Sequence, residues 1–133
     1  TGKNWQVQFS TKGTDCMFAA PINYWTEAYP SSTDRWQGRF KMFATQNMWT
    51  FILLDSYNGR LWQVQYSTQD LDNLFCIPIN KNELVENNER CVFSIQPLTS
   101  MYQYYLINDN TGDMWKFQWS TKGDDYRWIE RFR

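Results

Sequence analysis

The heptapeptide WQVQFST at residues 5–11 recurs as WQVQYST at 62–68 and as WKFQWST at 115–121. In each copy, large apolar side chains alternate with glutamine, lysine or serine. This two-residue period is typical of a β-strand with one buried face and one polar face. Because self-similarity at a fixed period identifies repeat architectures, the three copies predict that one type of strand is used three times along the chain.

The similarity extends well beyond the heptapeptide and contains no gap. A shift of 57 residues relates the first copy to the second and holds from position 2 to position 23. A shift of 53 residues relates the second copy to the third and holds from position 40 to position 80. We therefore expect a single all-β domain over residues 1–133, with repeat units at 1–23, which is a half unit, at 24–80 and at 81–133.

Each complete unit is predicted to contain four antiparallel strands. No segment shows convincing helical periodicity, which supports the all-β class. The links at 55–59 and 108–112 open with an Asx residue and close with glycine, the composition of tight hairpin turns. The ten strands are expected at 4–10, 17–22, 40–44, 49–54, 61–67, 74–79, 93–96, 102–107, 114–120 and 127–132.

Four antiparallel strands in about fifty residues are similar to one blade of a β-propeller. About 2.5 blades fall short of the four or more that typically close a propeller, so a meander barrel of ten strands and a trefoil-like arrangement are alternatives. The half unit at 1–23 leaves the edge of its first strand open, and open edges invite pairing. Upstream chain, another segment or a second subunit is expected to cover this edge, which makes a homo-oligomer one possible outcome.

The stretch Leu53-Leu54-Asp55, followed by Gly59 and Trp62, forms the pattern LLD-x-x-(N/T)-G-x-x-W. This pattern resembles a short β-hairpin repeat of uncharacterised bacterial proteins. The third unit departs from it, because Leu-Ile-Asn at 106–108 replaces the opening triplet. The resemblance spans most of the chain and implies a propeller-blade-like repeat, but it implies no catalytic residues.

Composition narrows the classes of function. A net charge of −1, from 13 basic and 14 acidic residues, gives no electrostatic footprint for binding nucleic acid. No apolar stretch approaches the roughly 20 residues that a membrane-spanning helix needs. The chain contains no histidine, which removes Ser-His-Asp and Cys-His triads and the usual zinc sites. We accordingly expect no metal and no cofactor.

Three cysteines, Cys16, Cys76 and Cys91, leave one thiol unpaired and contain no CxxC pair. A disulfide between Cys76 and Cys91 fits an exported protein, and buried thiols fit equally well. The sequence does not determine the cellular compartment, and a secreted or cell-surface location is preferred over a cytoplasmic one.

Paired carboxylates are the remaining catalytic option, because two such groups can hydrolyse a glycosidic bond. The candidates are Asp15, Asp72 and Asp125, near equivalent loop positions, or Asp55 with Glu130. The preference of turns for aspartate explains these positions more simply. A small carboxylate-dependent hydrolase is therefore an alternative function, and a barrel that binds a lipophilic ligand is another.

Aromatic residues make up 19% of the chain, far above ordinary usage. Rings recur at the first and fifth positions of all three heptapeptides, and recurrence in every unit indicates core packing rather than recognition of a ligand. Each buried ring removes roughly 150–250 Å² from water, so a few rings in each layer could provide most of the core. These rings are Trp5, Trp62 and Trp115 at the first position and Phe9, Tyr66 and Trp119 at the fifth.

The best functional clue is a connection that fails to repeat. The connection at 24–39 holds 16 residues, whereas its equivalent at 81–92 holds 12. Insertions in repeat proteins map to loops that often lie on the binding face. Binding hot spots favour aromatic and arginine side chains, although rings in a loop can also pack beneath it as a satellite cluster. We predict that the ligand-binding residues are Trp25, Tyr29, Arg35 and Trp36.

Together these features predict a non-enzymatic binding or assembly module whose partner is a protein or a glycan. The open sheet edge favours self-association, or docking to a larger assembly by strand addition.

Overall fold

The computed structural model describes residues 5–8, 18–21, 38–68, 73–85 and 92–133. Within these ranges the chain forms ten strands, and a 3-10 turn spans Asp124–Tyr126. The predicted all-β class is therefore confirmed. The strands are β1 (Trp5–Gln8), β2 (Phe18–Pro21), β3 (Phe40–Ala44), β4 (Thr50–Asp55), β5 (Arg60–Gln65), β6 (Phe75–Pro78), β7 (Phe93–Pro97), β8 (Gln103–Asn108), β9 (Met114–Gln118) and β10 (Trp128–Arg131).

The strands divide into three antiparallel sheets. Sheet A pairs β1 with β2, sheet B has the order β3-β4-β5-β6, and sheet C has the order β10-β9-β8-β7. Neighbours in each sheet are neighbours in sequence, so sheets B and C are four-stranded meanders. The alternative of one ten-stranded meander closed into a barrel is not what the described residues form, because their strands belong to three separate sheets.

The pairing registers of the three sheets follow the shifts of 57 and 53 residues seen in the sequence. Register in a sheet is fixed wherever one face is buried, because a slip of one residue turns every side chain to the opposite face. Equivalent sequence positions therefore occupy equivalent places in the three sheets. The tryptophans that open the heptapeptides show this, with Trp5 opposite Pro21, Trp62 opposite Pro78 and Trp115 opposite Arg131.

The two predicted hairpin turns owe their shape to an Asx side chain and a glycine. Asp55 Oδ1 accepts a hydrogen bond from the Tyr57 amide at 3.1 Å, and Asn108 Oδ1 accepts one from the Asn110 amide at 3.0 Å. Each turn then ends at a glycine with a positive φ, 76° and 78° respectively. Glycine adopts this conformation without the steric penalty that a Cβ atom would bring, which confirms the predicted turn chemistry.

Sheets B and C pack face to face through one buried cluster. Burial of apolar surface contributes roughly 25 cal/mol per Å², so this interface is a major source of stability. Sheet B and the residue after it contribute Ile52, Leu54, Leu61 and Ile79. Sheet C contributes Phe93, Tyr104, Leu106, Trp115 and Phe117, and Trp119 follows β9.

The opposite face of sheet B carries a second cluster, formed by Leu53, Trp62, Val64, Leu74 and Cys76. Strand β4 is therefore apolar on both faces and lies inside its sheet.

The glutamine face of β5 is not polar surface as the alternation predicts, because sheet C covers it. Gln63 is 0% exposed, and its Oε1 accepts hydrogen bonds from the Ser120 amide at 3.1 Å and from Arg127 Nε at 2.9 Å. The equivalent residue of sheet A, Gln6, donates from Nε2 to the Ser67 carbonyl at 3.0 Å. Sheet A thus contacts sheet B on the side away from sheet C.

In the part of the chain that the structure describes, no helix has the length and the apolar content to cross a membrane.

Candidate functional site

An open groove of about 720 Å³ lies between sheet A and the face of sheet B that points away from sheet C. None of the residues that line it is charged, and four of them are aromatic. Such a surface can bury apolar parts of a ligand and can contribute little through charge. The largest lining side chains are Trp5, Met42, Met48, Trp49, Phe51 and Tyr66.

Three rings form one wall of the groove. The ring centroid of Tyr66 lies 5.0 Å from that of Trp49 and 5.9 Å from that of Phe51, in tilted arrangements. The backbone holds the first pair in place, because the Tyr66 amide donates to the Trp49 carbonyl at 3.0 Å. Asn47 Oδ1 in turn accepts from the Trp49 amide at 2.9 Å. Trp49 nevertheless remains 38% exposed, so a fixed ring faces the opening.

Sheet C contains the equivalent ring pair. Tyr102 and Trp119 occupy the positions of Trp49 and Tyr66, with their centroids 4.9 Å apart. Trp119 is 0% exposed beneath sheet B, and its Nε1 donates to the Met101 carbonyl at 3.0 Å. The ring pair therefore recurs in both sheets, and the difference lies in its second ring, because Trp119 is covered whereas Tyr66 lines the groove.

Two methionines show the same difference between sheets B and C. Met42 is 46% exposed and Met48 is 65% exposed at the groove. Their equivalents in sheet C, Ile95 and Met101, pack against the buried cluster between the sheets. Two positions of the groove are thus packed in sheet C and exposed in sheet B.

Gln6 adds a buried hydrogen-bond acceptor to the wall of the groove. The residue is only 6% exposed, and its Oε1 has no donor among the described residues. A buried polar atom without a partner costs about 1–3 kcal/mol. The equivalent oxygen of Gln63 receives Arg127 Nε, whereas the position equivalent to Arg127 next to Gln6 is Leu74. A ligand with an N–H or O–H donor would supply the missing bond.

A smaller polar cleft of about 330 Å³ adjoins the groove. The two spaces share Trp49, Tyr66 and Thr68. The rings therefore have an apolar space on one side and amide and hydroxyl groups on the other. The remaining cleft residues are Asn47, Gln65, Ser67, Asn73 and Thr121.

Asp55, one of the candidate catalytic carboxylates, is engaged in structural contacts. Its Oδ1 and Oδ2 accept hydrogen bonds from Arg39 Nε and Nη2, both at 2.8 Å. Asp55 is 1% exposed and Arg39 is 3% exposed, so water does not reach this ion pair. The arrangement fixes the hairpin and leaves Asp55 no open side for a substrate.

The other candidate carboxylates are dispersed or lie outside the described residues. Asp125 is exposed in the 3-10 turn, and Glu130 is exposed on β10. Asp15 and Asp72 fall outside the described ranges. Among the residues that are described, no three Asp, Glu, Cys or His side chains are grouped to hold a metal ion.

Cys76 is 1% exposed within the second cluster of sheet B. Burial raises the pKa of the Cys76 thiol to about 12, so this group is neutral at physiological pH and is a poor nucleophile. Cys16 and Cys91 lie outside the described residues, as does any disulfide that involves them.

The predicted ligand-binding residues Trp25, Tyr29, Arg35 and Trp36 also lie outside the described residues. Sequence reasoning does not find the groove, because recurrence of the rings predicts core packing. That prediction is confirmed for Trp62, which is 2% exposed, and is wrong for Trp5, which is 57% exposed. The local sequence carries no signal for the groove, because Trp5 and Trp62 lie in the same pattern.

No protein-family model, curated protein or solved structure matches this chain.

Proposed function

We propose that the chain is a non-enzymatic binding module made of repeat units that stack like propeller blades, and that its groove receives an apolar segment of a partner protein. The observation that supports this proposal is a difference in exposure between equivalent residues of sheets B and C. Met42 and Met48 are exposed at the groove, whereas their equivalents in sheet C are packed. A surface that has the side chains of an interface and that the described residues leave exposed supports a binding partner.

The chemistry of the groove also supports a protein ligand. Soluble proteins rarely expose large contiguous apolar patches, and those that do mark sites of interaction. Tryptophan, tyrosine and methionine are enriched where proteins meet, and the thioether of methionine adapts to varied partners. Trp49 offers a rigid anchor at the centre of this surface, flanked by the flexible Met48.

Gln6 provides a second and independent argument. Its buried Oε1 lacks a donor among the described residues, and a polypeptide carries an N–H group on nearly every residue. A bound segment can therefore satisfy this oxygen while its side chains cover the rings.

Selection from a displayed library of random peptides, with the full chain as target, tests this function. Selected peptides should contain apolar residues and should lose at least about tenfold in affinity with Trp49→Ala, since hot-spot truncations cost 2 kcal/mol or more. Tyr102→Ala is the matched control, because Tyr102 is 40% exposed and belongs to an equivalent ring pair. Thermal unfolding of both variants verifies that each is folded.

Two results would contradict the proposal. Peptides that bind both variants equally would place the site elsewhere, and the failure of repeated selections to yield any peptide would argue against a protein ligand.

The polar cleft favours a glycan as a second candidate. Sugars stack on exposed rings and exchange hydrogen bonds with amides, and here Trp49 and Tyr66 adjoin Asn47 and Gln65. A panel of immobilised oligosaccharides tests this candidate. Binding that is lost with Gln65→Ala and kept with Gln118→Ala, its equivalent in sheet C, would support it. The absence of binding across the panel would remove it.

A further inference from the structure

We infer that the second residue of each heptapeptide decides whether its sheet can carry a further sheet of the repeat, and that Lys116 closes the outer face of sheet C to such a sheet. The outer face is the one that points away from sheet B. This inference rests on the stacking of repeat units in the function proposed above, and it specifies which face can take part in that stacking.

A glutamine at this position joins one sheet to the next. Gln63 of sheet B accepts a hydrogen bond at Oε1 from the Ser120 amide, which follows β9 of sheet C, at 3.1 Å. Gln6 of sheet A donates from Nε2 to the Ser67 carbonyl, which follows β5 of sheet B, at 3.0 Å. Ser67 and Ser120 are both the sixth residue of a heptapeptide. The same side chain therefore reaches the same backbone position in both interfaces, and an amide can do so as donor or as acceptor.

The burial of this position restricts which side chains it accepts. Gln63 is 0% exposed and Gln6 is 6% exposed. The register partner of Gln63 on β6 is Ile77, so neither residue of that pair carries a charge. A neutral amide that finds a backbone partner can enter such an interface, whereas an ion would lose its hydration there.

Sheet C has a charged pair at the same two positions. Under the 53-residue shift, Lys116 stands in place of Gln63. Glu130 stands in place of Ile77, and it is the register partner of Lys116. An ammonium group only donates, so it cannot accept the amide hydrogen that Gln63 takes from Ser120. A further sheet would also strip water from both ions, and their attraction repays that loss only when geometry is excellent and additional hydrogen bonds form.

Met114 can report whether the outer face of sheet C is covered. It lies on the same face of β9 as Lys116, two residues earlier, and it is partly exposed. Its equivalent in sheet B, Leu61, is 0% exposed in the cluster between sheets B and C. A further sheet stacked on sheet C would therefore bury Met114 and slow the oxidation of its thioether.

Two tandem proteins test the inference. A second copy of the third repeat unit is fused directly after Arg133, which corresponds to Asn80 under the 53-residue shift, so the copy continues the repeat in register. One tandem keeps the charged pair, and the matched tandem carries Lys116→Gln with Glu130→Ile in the original chain. The copy carries Met114→Leu in both tandems, so that oxidation of one Met114 by hydrogen peroxide can be followed by mass spectrometry. The same two chains without a copy give the reference rates, and their thermal unfolding verifies that each is folded.

We expect Met114 to be oxidised several-fold more slowly in the tandem with the neutral pair than in its reference chain. In the tandem with the charged pair, the rate should equal that of the reference chain. Equal protection in both tandems, or protection in neither, would overturn the inference. If selected peptides still depend on Trp49 while the two tandems behave alike, only this inference falls. If no peptide is selected while the two tandems differ, only the proposed binding function falls.

Discussion

Asp55→Asn should destabilise the fold more than the double replacement Arg39→Val with Asp55→Asn. The two side chains are joined by two hydrogen bonds of 2.8 Å and are 3% and 1% exposed. Removal of the negative charge leaves the Arg39 guanidinium buried without its counter-charge. Breaking a buried ion pair in this way costs about 3–5 kcal/mol, because the remaining charge cannot regain its hydration.

Sheet C shows that the same backbone accepts a neutral pair. Val92 and Asn108 occupy the two positions there, and the Asp109 amide still donates to the Val92 carbonyl at 2.8 Å. The double variant places the same two residue types in sheet B, where position 39 is buried, whereas Val92 in sheet C is 44% exposed. It loses the contact of Arg39 with the Tyr57 ring, 4.7 Å from the guanidinium carbon to the centroid, which is worth about 0.5–2 kcal/mol. We therefore expect it to be about 1–2 kcal/mol less stable than the wild type.

Urea unfolding at 25 °C, followed by tryptophan fluorescence, measures the free energy of unfolding of the wild type, both single variants and the double variant. The reasoning predicts a coupling energy of at least about 2 kcal/mol between the two sites. Additive single-variant effects, or a loss below about 1 kcal/mol for Asp55→Asn, would refute it. The same variants bear on the hydrolase alternative. If the double variant is stable and binds the selected peptides normally, then neither folding nor peptide binding requires the Asp55 carboxylate.

Three further variants test the core. Gly59→Ala and Gly112→Ala both place a Cβ at a positive φ, costing about 1–2 kcal/mol, but only at Gly59 would the new atom lie 3.0 Å from Leu84 and Phe93. Thermal unfolding should therefore show a loss about 1–3 kcal/mol larger for Gly59→Ala, and equal losses would contradict the packing of sheet C on sheet B. The raised pKa of Cys76, about 12, means that the folded chain keeps a proton which the unfolded thiol loses above its ordinary value of 9.0. The free energy of unfolding should then fall by about 1.4 kcal/mol per pH unit from pH 9 towards 12. Urea titrations at pH 8, 9.5 and 10.5 measure this slope, and Cys76→Ala should remove the part that the thiol contributes. Identical slopes for the wild type and the variant would show that the thiol is not buried.

The sequence predicts the strands well because each strand depends on local information. The predicted strand at 40–44 is observed at Phe40–Ala44, and every other strand agrees within two residues at each end. Alternation defines the strands, and the glycines at 59 and 112 define the hairpins between them. These signals are contained in short windows, so no knowledge of tertiary structure is needed to read them.

The groove could not be predicted in the same way, because it depends on how the three sheets pack against one another. Gln63 and Gln6 have the same local sequence, yet among the described residues only Gln63 has a donor at its Oε1. The donor, Arg127, lies 64 positions away in the chain. Trp5 and Trp62 likewise share their local pattern and differ only in what covers them. A repeat makes such positions look identical, so their differences appear only when the sheets are packed.

The outer face of sheet C provides a comparison with the groove. The face of sheet C that points away from sheet B has the positions of Gln63 and Ile77 filled by Lys116 and Glu130. These two residues are register partners on neighbouring strands, so opposite charges stand side by side where sheet B has an amide and an aliphatic side chain. On this face of sheet C, charged residues thus replace the uncharged residues found at the equivalent positions of sheet B. The sequence keeps methionine and tryptophan at the groove, which no described strand covers, and this contrast supports the proposal that a partner binds there.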